Sequence, residues 1–180
     1  MKECGAENSG NGFEKLWAPW RMRYIEGMGS SGESGCIFCQ KPKENADERN
    51  FIVCRGETCY IIMNVFPYNN GHLMVVPFLH TARFSDLDSQ TRREILDLNG
   101  LAMAAIEKTM RPEGFNMGMN IGRTAGAGIA GHLHMHLVPR WNGDTNFMPV
   151  IGCTKVISEA LEDSFRKIRA AVEEIRKKEG

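Results

Sequence analysis

Hydrophobic and polar positions change period several times along the chain, and each change marks an element. Residues 50–54 and 58–64 are short runs rich in Ile, Val, Cys and Tyr on either side of Arg55-Gly56-Glu57, which predicts two strands joined by a turn. Asn69-Asn70-Gly71 is turn chemistry, and the apolar run after it predicts a third strand over 72–77. The period then lengthens. Ile95, Leu98, Ala102, Ala105 and Ile106 recur at helical spacing, with Ser85, Asp86, Asp88 and Ser89 offering N-caps upstream. Arg111-Pro112-Glu113-Gly114 closes that helix after about Met110. Residues 115–121 and 132–139 predict a fourth and a fifth strand. A last helix from about Ser158 places Leu161, Phe165, Ile168, Val172 and Ile175 on one face and ends in solvent-facing charge. The sum is an α+β fold: an antiparallel, meander-like sheet of about five strands, one long inserted helix and a C-terminal helix.

Before residue 36 the pattern is of another kind. Residues 1–13 are polar and glycine-rich and read as a disordered tail. Trp17, Trp20 and Tyr24 then crowd a short basic segment broken by Pro19. Aromatics of this sort mostly serve packing and interfaces, so the segment reads as an arm that plugs apolar surface on its own or a neighbouring subunit, with contact to a substrate base as the alternative. A Gly/Ser-rich linker over 27–35 delivers Cys36-Ile37-Phe38-Cys39. Residues 14–180 are expected to form one domain that carries the arm and this cysteine segment.

The chemistry concentrates in Gly131-His132-Leu133-His134-Met135-His136-Leu137-Val138-Pro139-Arg140, which holds three of the five histidines. On an extended strand, residues two apart share a face, so all three imidazoles project together and Leu133, Met135 and Leu137 project from the other side. Three imidazoles in a row can bind a metal, move protons or attack an electrophile. Ala125-Gly126-Ala127-Gly128-Ile129-Ala130-Gly131 runs into this strand, and small residues there let backbone N–H groups approach an anion. Imidazoles beside such a loop suit a phosphate ester.

These residues resemble the histidine triad family of nucleotide hydrolases and transferases, whose signature His132-Leu133-His134-Met135-His136-Leu137-Val138 fits. Asn64, the stretch Asn69-Asn70-Gly71-His72, Asn120 and Pro139-Arg140 extend the match, which covers about residues 14 to 176. The segments 16–25 and 141–147 look like the branch that cleaves diadenosine tetraphosphate.

The resemblance implies roles. His134 would be the nucleophile that forms a nucleotidyl-histidine, and His136 would hydrogen-bond the phosphate or leaving oxygen. His72 matches a further histidine beside the triad, with a structural role as the alternative. Asn64 corresponds to a position near the ribose and Asn120 to one that reaches phosphate; a short amide that stabilises a turn is the other reading of both. Relatives often carry Gln, then Ser or Thr, where this chain has Gly128 and Ile129. Phosphate contacts from Gly126, Gly128 and Ile129 are therefore expected from backbone N–H groups. Asp144, Thr145 and Asn146 either meet distal phosphates or order a loop, and Arg140 either neutralises polyphosphate, as Arg123 could, or pairs with an acid.

The implied reaction is cleavage of dinucleoside polyphosphates, with AMP, ADP and ATP among the nucleotides handled and phosphate or water as acceptor. Hydrolysis of purine nucleoside phosphoramidates or acyl-adenylates is the second enzymatic reading. A nucleotide-binding interaction protein with an idle triad is a reading of another class.

Cys36 and Cys39 could form a redox dithiol or present two thiolates to a tetrahedral ion, which needs two further ligands. In zinc-containing relatives those are a histidine before the long helix and the first triad histidine, here His80 and His132. The resemblance thus implies a structural zinc on Cys36, Cys39, His80 and His132. Cys4, Cys54, Cys59 and Cys153 have no partner spacing.

Composition narrows the partners. Twenty-two basic residues balance 22 acidic ones, so no global field points to nucleic acid or an anionic membrane. No apolar run approaches a membrane span, and the first thirty residues hold no signal-peptide core. A Cys-x-x-Cys pair in a chain of 180 residues fits the cytoplasm better than a secreted disulfide scaffold. The resemblance suggests a homodimer through the long helix and the strand beside it.

Overall fold

The computed structural model describes residues 35–152 and 156–179. The tail, the aromatic arm, Cys4 and Cys153 lie outside the described residues. The elements in order are α1 (Ile37–Lys43), β1 (Ile52–Arg55), β2 (Cys59–Met63), β3 (Leu73–Pro77), α2 (Ser89–Met110), β4 (Gly114–Met119), β5 (Met135–Arg140), α3 (Met148–Gly152) and α4 (Leu161–Glu179). The five strands form one antiparallel sheet in the order β1-β2-β3-β5-β4. The α+β reading holds, with one refinement: β5 inserts between β3 and β4, so the sheet is not a simple meander. That insertion seats the histidine strand in the interior of the sheet.

Alternation along the strands divides the molecule into two layers. Cys59, Ile61 and Met63 of β2, Leu73 and Val75 of β3, and Leu133 and Leu137 point to one face. They meet Ile95, Leu98, Ala102 and Ile106 of α2 and Phe165, Ile168 and Val172 of α4. Tyr60, Ile62, Met74 and Val76 point to the other face, where Cys36, Phe38 and Cys39 cover them. Helices α2 and α4 pack on one side of the sheet, over β1, β2, β3 and β5, and leave Met117 of β4 exposed. On the other side, among the described residues, the short α1 segment packs together with Phe78 and Ile129, and the histidines emerge beside it.

Asp88 caps α2, its carboxylate accepting from the Thr91 amide at 2.7 Å. Arg111 ends the helix in a left-handed conformation, φ 49°, one residue before Pro112. The fifth strand begins at Met135, three residues later than the pattern predicts. Its ladder with β3 stops at the Val75–Met135 pair, and Leu133 N–H turns to the Thr81 carbonyl at 2.8 Å. Helix α1 was not expected, because Pro42 lies within a seven-residue segment. Tyr60 fixes it by donating its hydroxyl proton to the Phe38 carbonyl at 2.8 Å.

The β1–β2 turn is tied to α2 by one carboxylate. Glu94 accepts from the Glu57 and Thr58 amides, each at 2.6 Å, and from the Thr58 hydroxyl. A Cβ on Gly56 would lie 2.1 Å from the Glu94 Oε1 atom, so glycine is what lets the carboxylate reach the turn. Partial burial pushes the Glu94 carboxyl up, but the hydrogen bonds from Thr58 and Glu57 outweigh it and hold the group below its ordinary value. A carboxyl lowered in the folded state stabilises at pH above the carboxylate range and loses that contribution as pH falls through it. Glu94→Gln is expected to cost about 1–3 kcal/mol near neutral pH, read by denaturant titration. The gap to the wild type should narrow in acid.

Candidate active site and metal centre

The structure brings His72, His132, His134 and His136 into one row on the sheet face opposite the helices. Neighbouring rings lie 5.1 Å apart for His72 and His136 and 4.8 Å for His134 and His136. His72, His132 and His134 are buried and His136 is half-buried. Phe38, delivered by α1, sits 5.5 Å from the His132 ring and 5.1 Å from the His134 ring.

Hydrogen bonds to groups with only one possible role fix every tautomer in the row. A carbonyl can only accept, so the 2.8 Å contact from His134 Nδ1 to the His132 carbonyl puts the proton on Nδ1. Neutral His134 therefore keeps its lone pair on Nε2. Burial pushes its pKa below the ordinary histidine value against the opposing pull of that bond, which favours the neutral ring. A backbone amide can only donate, so Tyr68 N–H, 3.0 Å from His72 Nδ1, makes that nitrogen an acceptor. The Asn64 amide nitrogen, at 3.3 Å, points to the same atom. Neutral His72 then carries its proton on Nε2 and donates to His136 Nδ1 at 3.0 Å. By exclusion His136 carries its own proton on Nε2. The row thus places a bare nitrogen on His134 beside an N–H on His136.

His132 faces the other way. Its Nε2 lies 2.8 Å from the Pro77 carbonyl, so that nitrogen holds the proton and Nδ1 offers a lone pair. Around that lone pair stand Cys36, Cys39 and His80, with all four donor atoms within 4.8 Å of one another. His132 Nδ1 is 3.4 Å from Cys36 Sγ, 3.5 Å from Cys39 Sγ and 3.2 Å from His80 Nδ1, and Cys39 Sγ is 3.3 Å from His80 Nδ1. Tetrahedral bonds of about 2.0 Å to nitrogen and about 2.3 Å to sulfur require edges of about 3.3 Å for N···N and about 3.5 Å for S···N. The donors match that figure in kind and number, and these four edges match it in spacing.

The remaining predicted residues distribute unevenly. Asn64 is buried and committed locally: beside its contact to His72, its side-chain oxygen accepts from Phe66 N–H at 2.9 Å. Asn120 stands at the rim of a cleft of ≈ 370 Å³ lined also by Tyr68, Asn116, His136 and Arg140. In the glycine loop, Gly126 (φ 88°) ends a single 3-10 turn, and its amide is taken by the Arg123 carbonyl at 2.9 Å. Gly128 lies half-buried farther along the loop, and Ile129 packs its side chain against the second core layer. Asp144 orders the loop after β5. It accepts from Arg140 Nε at 2.6 Å, from Asn69 at 2.9 Å and from Trp141 N–H at 3.3 Å.

Two residues that touch the row escaped the sequence reading. Phe38 had a signal, since it lies between two cysteines whose side chains must converge. Tyr68, whose ring lies tilted 4.6 Å from that of His72, had none, because a tyrosine ahead of an Asn-Asn-Gly turn reads as loop.

A HIT domain family model matches residues 45–143. The chain is 40% identical over 160 residues to the AP-4-A phosphorylase of Mycobacterium tuberculosis, covering 86% of this chain and 82% of that protein. It is 29% identical over 109 residues to adenosine 5′-monophosphoramidase of Schizosaccharomyces pombe, covering 59% of this chain and 75% of that one. Among solved structures, a Zn-bound histidine triad family protein from Mycobacterium smegmatis superimposes with a TM-score of 0.66 at 24% identity, over 82% of this chain and 99% of that chain.

The tautomer assignments are directly observable. Two-bond ¹H–¹⁵N spectra near neutral pH should show His134 protonated on Nδ1 and His72 and His136 on Nε2. A His136 protonated on Nδ1 would break the relay from Tyr68.

Proposed function

The chain belongs to the HIT domain family, and from that membership we propose a nucleotidyl transferase that cleaves dinucleoside polyphosphates, diadenosine tetraphosphate first among them. The observation that carries the reading is the pairing of a buried, bare His134 Nε2 with the N–H of His136, ring to ring at 4.8 Å. His134 attacks the α-phosphorus. A P–N bond forms as the bond to the leaving polyphosphate breaks, and His136 donates its proton to the departing oxygen or holds the phosphate. His72 acts through His136 and is a positioning residue. Asn64 supports His72, and Asn120 meets phosphate, a role that its position in the cleft lining supports. The loop of Gly126, Gly128 and Ile129 borders the phosphate site, with Gly126 closing its turn rather than donating to the ligand.

Phosphate is the acceptor we favour over water. The 40% identity to a protein named AP-4-A phosphorylase supports this, as does the block over 141–147. A homodimer is proposed on the resemblance and on the open edge of β4, where Met117 is exposed. Among the described residues no helix is long and apolar enough to cross a membrane. A cytoplasmic location is proposed, since a reducing compartment keeps Cys36 and Cys39 as ligands rather than a disulfide.

We assign the ion at Cys36, Cys39, His80 and His132 as zinc, because two thiolates with two imidazoles in tetrahedral spacing suit that ion. Four protein donors leave no open position, so its contribution is structural. It ties α1 to the triad strand, and His132 carries the effect onward, since its carbonyl orients His134.

Diadenosine tetraphosphate incubated with the protein should yield ADP and ATP only when phosphate is present. AMP with ATP in both tubes would make water the acceptor. Survival of the dinucleotide would contradict the substrate and turn attention to adenosine phosphoramidates. His134→Ala should lower turnover by at least about 10³-fold with the fold intact. Protein purified without chelator should contain one zinc per chain by elemental analysis. Cys39→Ser should lose it and melt lower by roughly 5–10 °C; equal melting and no zinc in either protein would remove the metal from the account.

A further inference from the structure

We propose that the cleft bounded by Tyr68, Asn69, Asn116, Gly118, Asn120 and Arg140 binds the acceptor phosphate, and that Arg140 determines whether phosphate or water takes the nucleotide. This rests on the nucleotidyl-histidine reading above and assigns the acceptor subsite of that same site. In-line displacement at phosphorus sets the entering and departing groups opposite each other. The group expelled by His134 and the acceptor that later attacks the nucleotidyl-histidine therefore use the same side, away from His134. The cleft is the candidate for that side, since its lining includes His136 and not His134.

Its shape suits an oxyanion. At ≈ 370 Å³ it has room for a phosphate group beside the nucleotide's own. Gly118 stands directly opposite His136 in the β4–β5 ladder. A glycine in a strand weakens it and marks a bulge, a bend or the close approach of a ligand or another backbone; the β4–β5 register is unbroken at Gly118, which leaves out the bulge. A Cβ on Gly118 would meet nothing within 4 Å, so its absence leaves open space beside His136.

Among the described residues, Arg140 is the charged residue of the lining, and Asp144, which pairs with it, stands behind it rather than in the lining. Its Nε and one terminal nitrogen bond the Asp144 carboxylate at 2.6 and 3.0 Å, and its other terminal nitrogen donates to Asn116 at 2.8 Å. Those three bonds use three of the five guanidinium N–H groups and leave two for a ligand. Asp144 is itself clamped by Asn69 and Trp141 N–H, and its side chain is only 6% exposed. The guanidinium is thus held in place before any anion arrives. Because Asp144 offsets much of its charge, recognition depends on directed N–H groups, the kind of contact a phosphate oxygen satisfies and a lone water does not. A phosphate oxygen then bonds the α-phosphorus as the P–N bond breaks, and the electron pair returns to His134 Nε2. The product is a nucleoside diphosphate.

The test is the partition of the nucleotidyl-histidine between acceptors, read as the ADP to AMP ratio from diadenosine tetraphosphate at a series of phosphate concentrations. Arg140→Gln and Gly118→Val should each shift that ratio toward AMP by about tenfold or more at equal phosphate, and Arg140→Lys should recover part of the loss. A Cβ on Gly118 would meet nothing within 4 Å, and the melting temperature of each variant is measured beside its product ratio, so that misfolding is told apart from a filled cleft or a lost guanidinium. ATP offered as a competing acceptor should return labelled dinucleotide, and the same variants should weaken that return, since its terminal phosphate would use the same cleft. A fall in total rate with an unchanged ratio in both variants would reduce Arg140 to a tie for the loop and overturn the proposal. Wild-type protein that yields only AMP at every phosphate concentration would overturn the proposal and leave the nucleotidyl-histidine standing. Wild-type protein that yields neither product would overturn the reading beneath it, and the proposal with it.

Discussion

The bond from His134 Nδ1–H to the His132 carbonyl is the constraint on which the rest of the site depends. Without it, the lone pair of His134 could sit on either nitrogen, and the ring could rotate. The carbonyl that accepts this proton belongs to a residue that is fixed twice more, through Nε2 to Pro77 and through Nδ1 to the cluster of Cys36, Cys39 and His80. His132 thus joins two sites that would otherwise be separate, one suited to a metal and one suited to attack on phosphorus. A change at Cys39 has a short path to the lone pair of His134. The same segment also supplies Phe38, whose ring abuts both histidines at the buried end of the row.

The other end of the row is fixed from the loop before β3. The amide of Tyr68 can only donate, and that single fact propagates through His72 to the outer nitrogen of His136. Opposite requirements are met by opposite anchors: a carbonyl at one end leaves a bare nitrogen, and an amide at the other leaves an N–H. The sheet supports this by keeping its two faces chemically distinct. Helices α2 and α4 bury one face in hydrocarbon, so the second is released from most of the packing that stability demands and can carry polar groups.

Legibility in the sequence followed physical locality. Alternation with period two is a local property, and it placed His132, His134 and His136 on one face even though the ladder itself begins only at Met135. The cysteine pair was legible as a pair, while His80 and His132 came from resemblance, because convergence of four residues on one point is a matter of tertiary placement. Helix α1 was hidden because its determinants are remote: Tyr60 from β2 and the donor cluster hold a segment that Pro42 alone would argue against. Asp144 had two readings from sequence, and only the positions of Asn69 and Arg140 show that it organises the loop after β5. Tyr68 could not be found at all, since what matters there is a backbone amide, which every residue but proline possesses. The aromatic arm stays an expectation, outside the described residues.

The central claim is that His134 Nε2 becomes covalently nucleotidylated. Labelled diadenosine tetraphosphate mixed with the protein in the absence of phosphate, quenched in alkali within milliseconds and digested for mass spectrometry, tests it most directly. An adenylyl group on His134, discharged as ADP when phosphate is added before the quench, is the predicted result. Consumption of the dinucleotide with the label on another residue, or on none, would contradict the account.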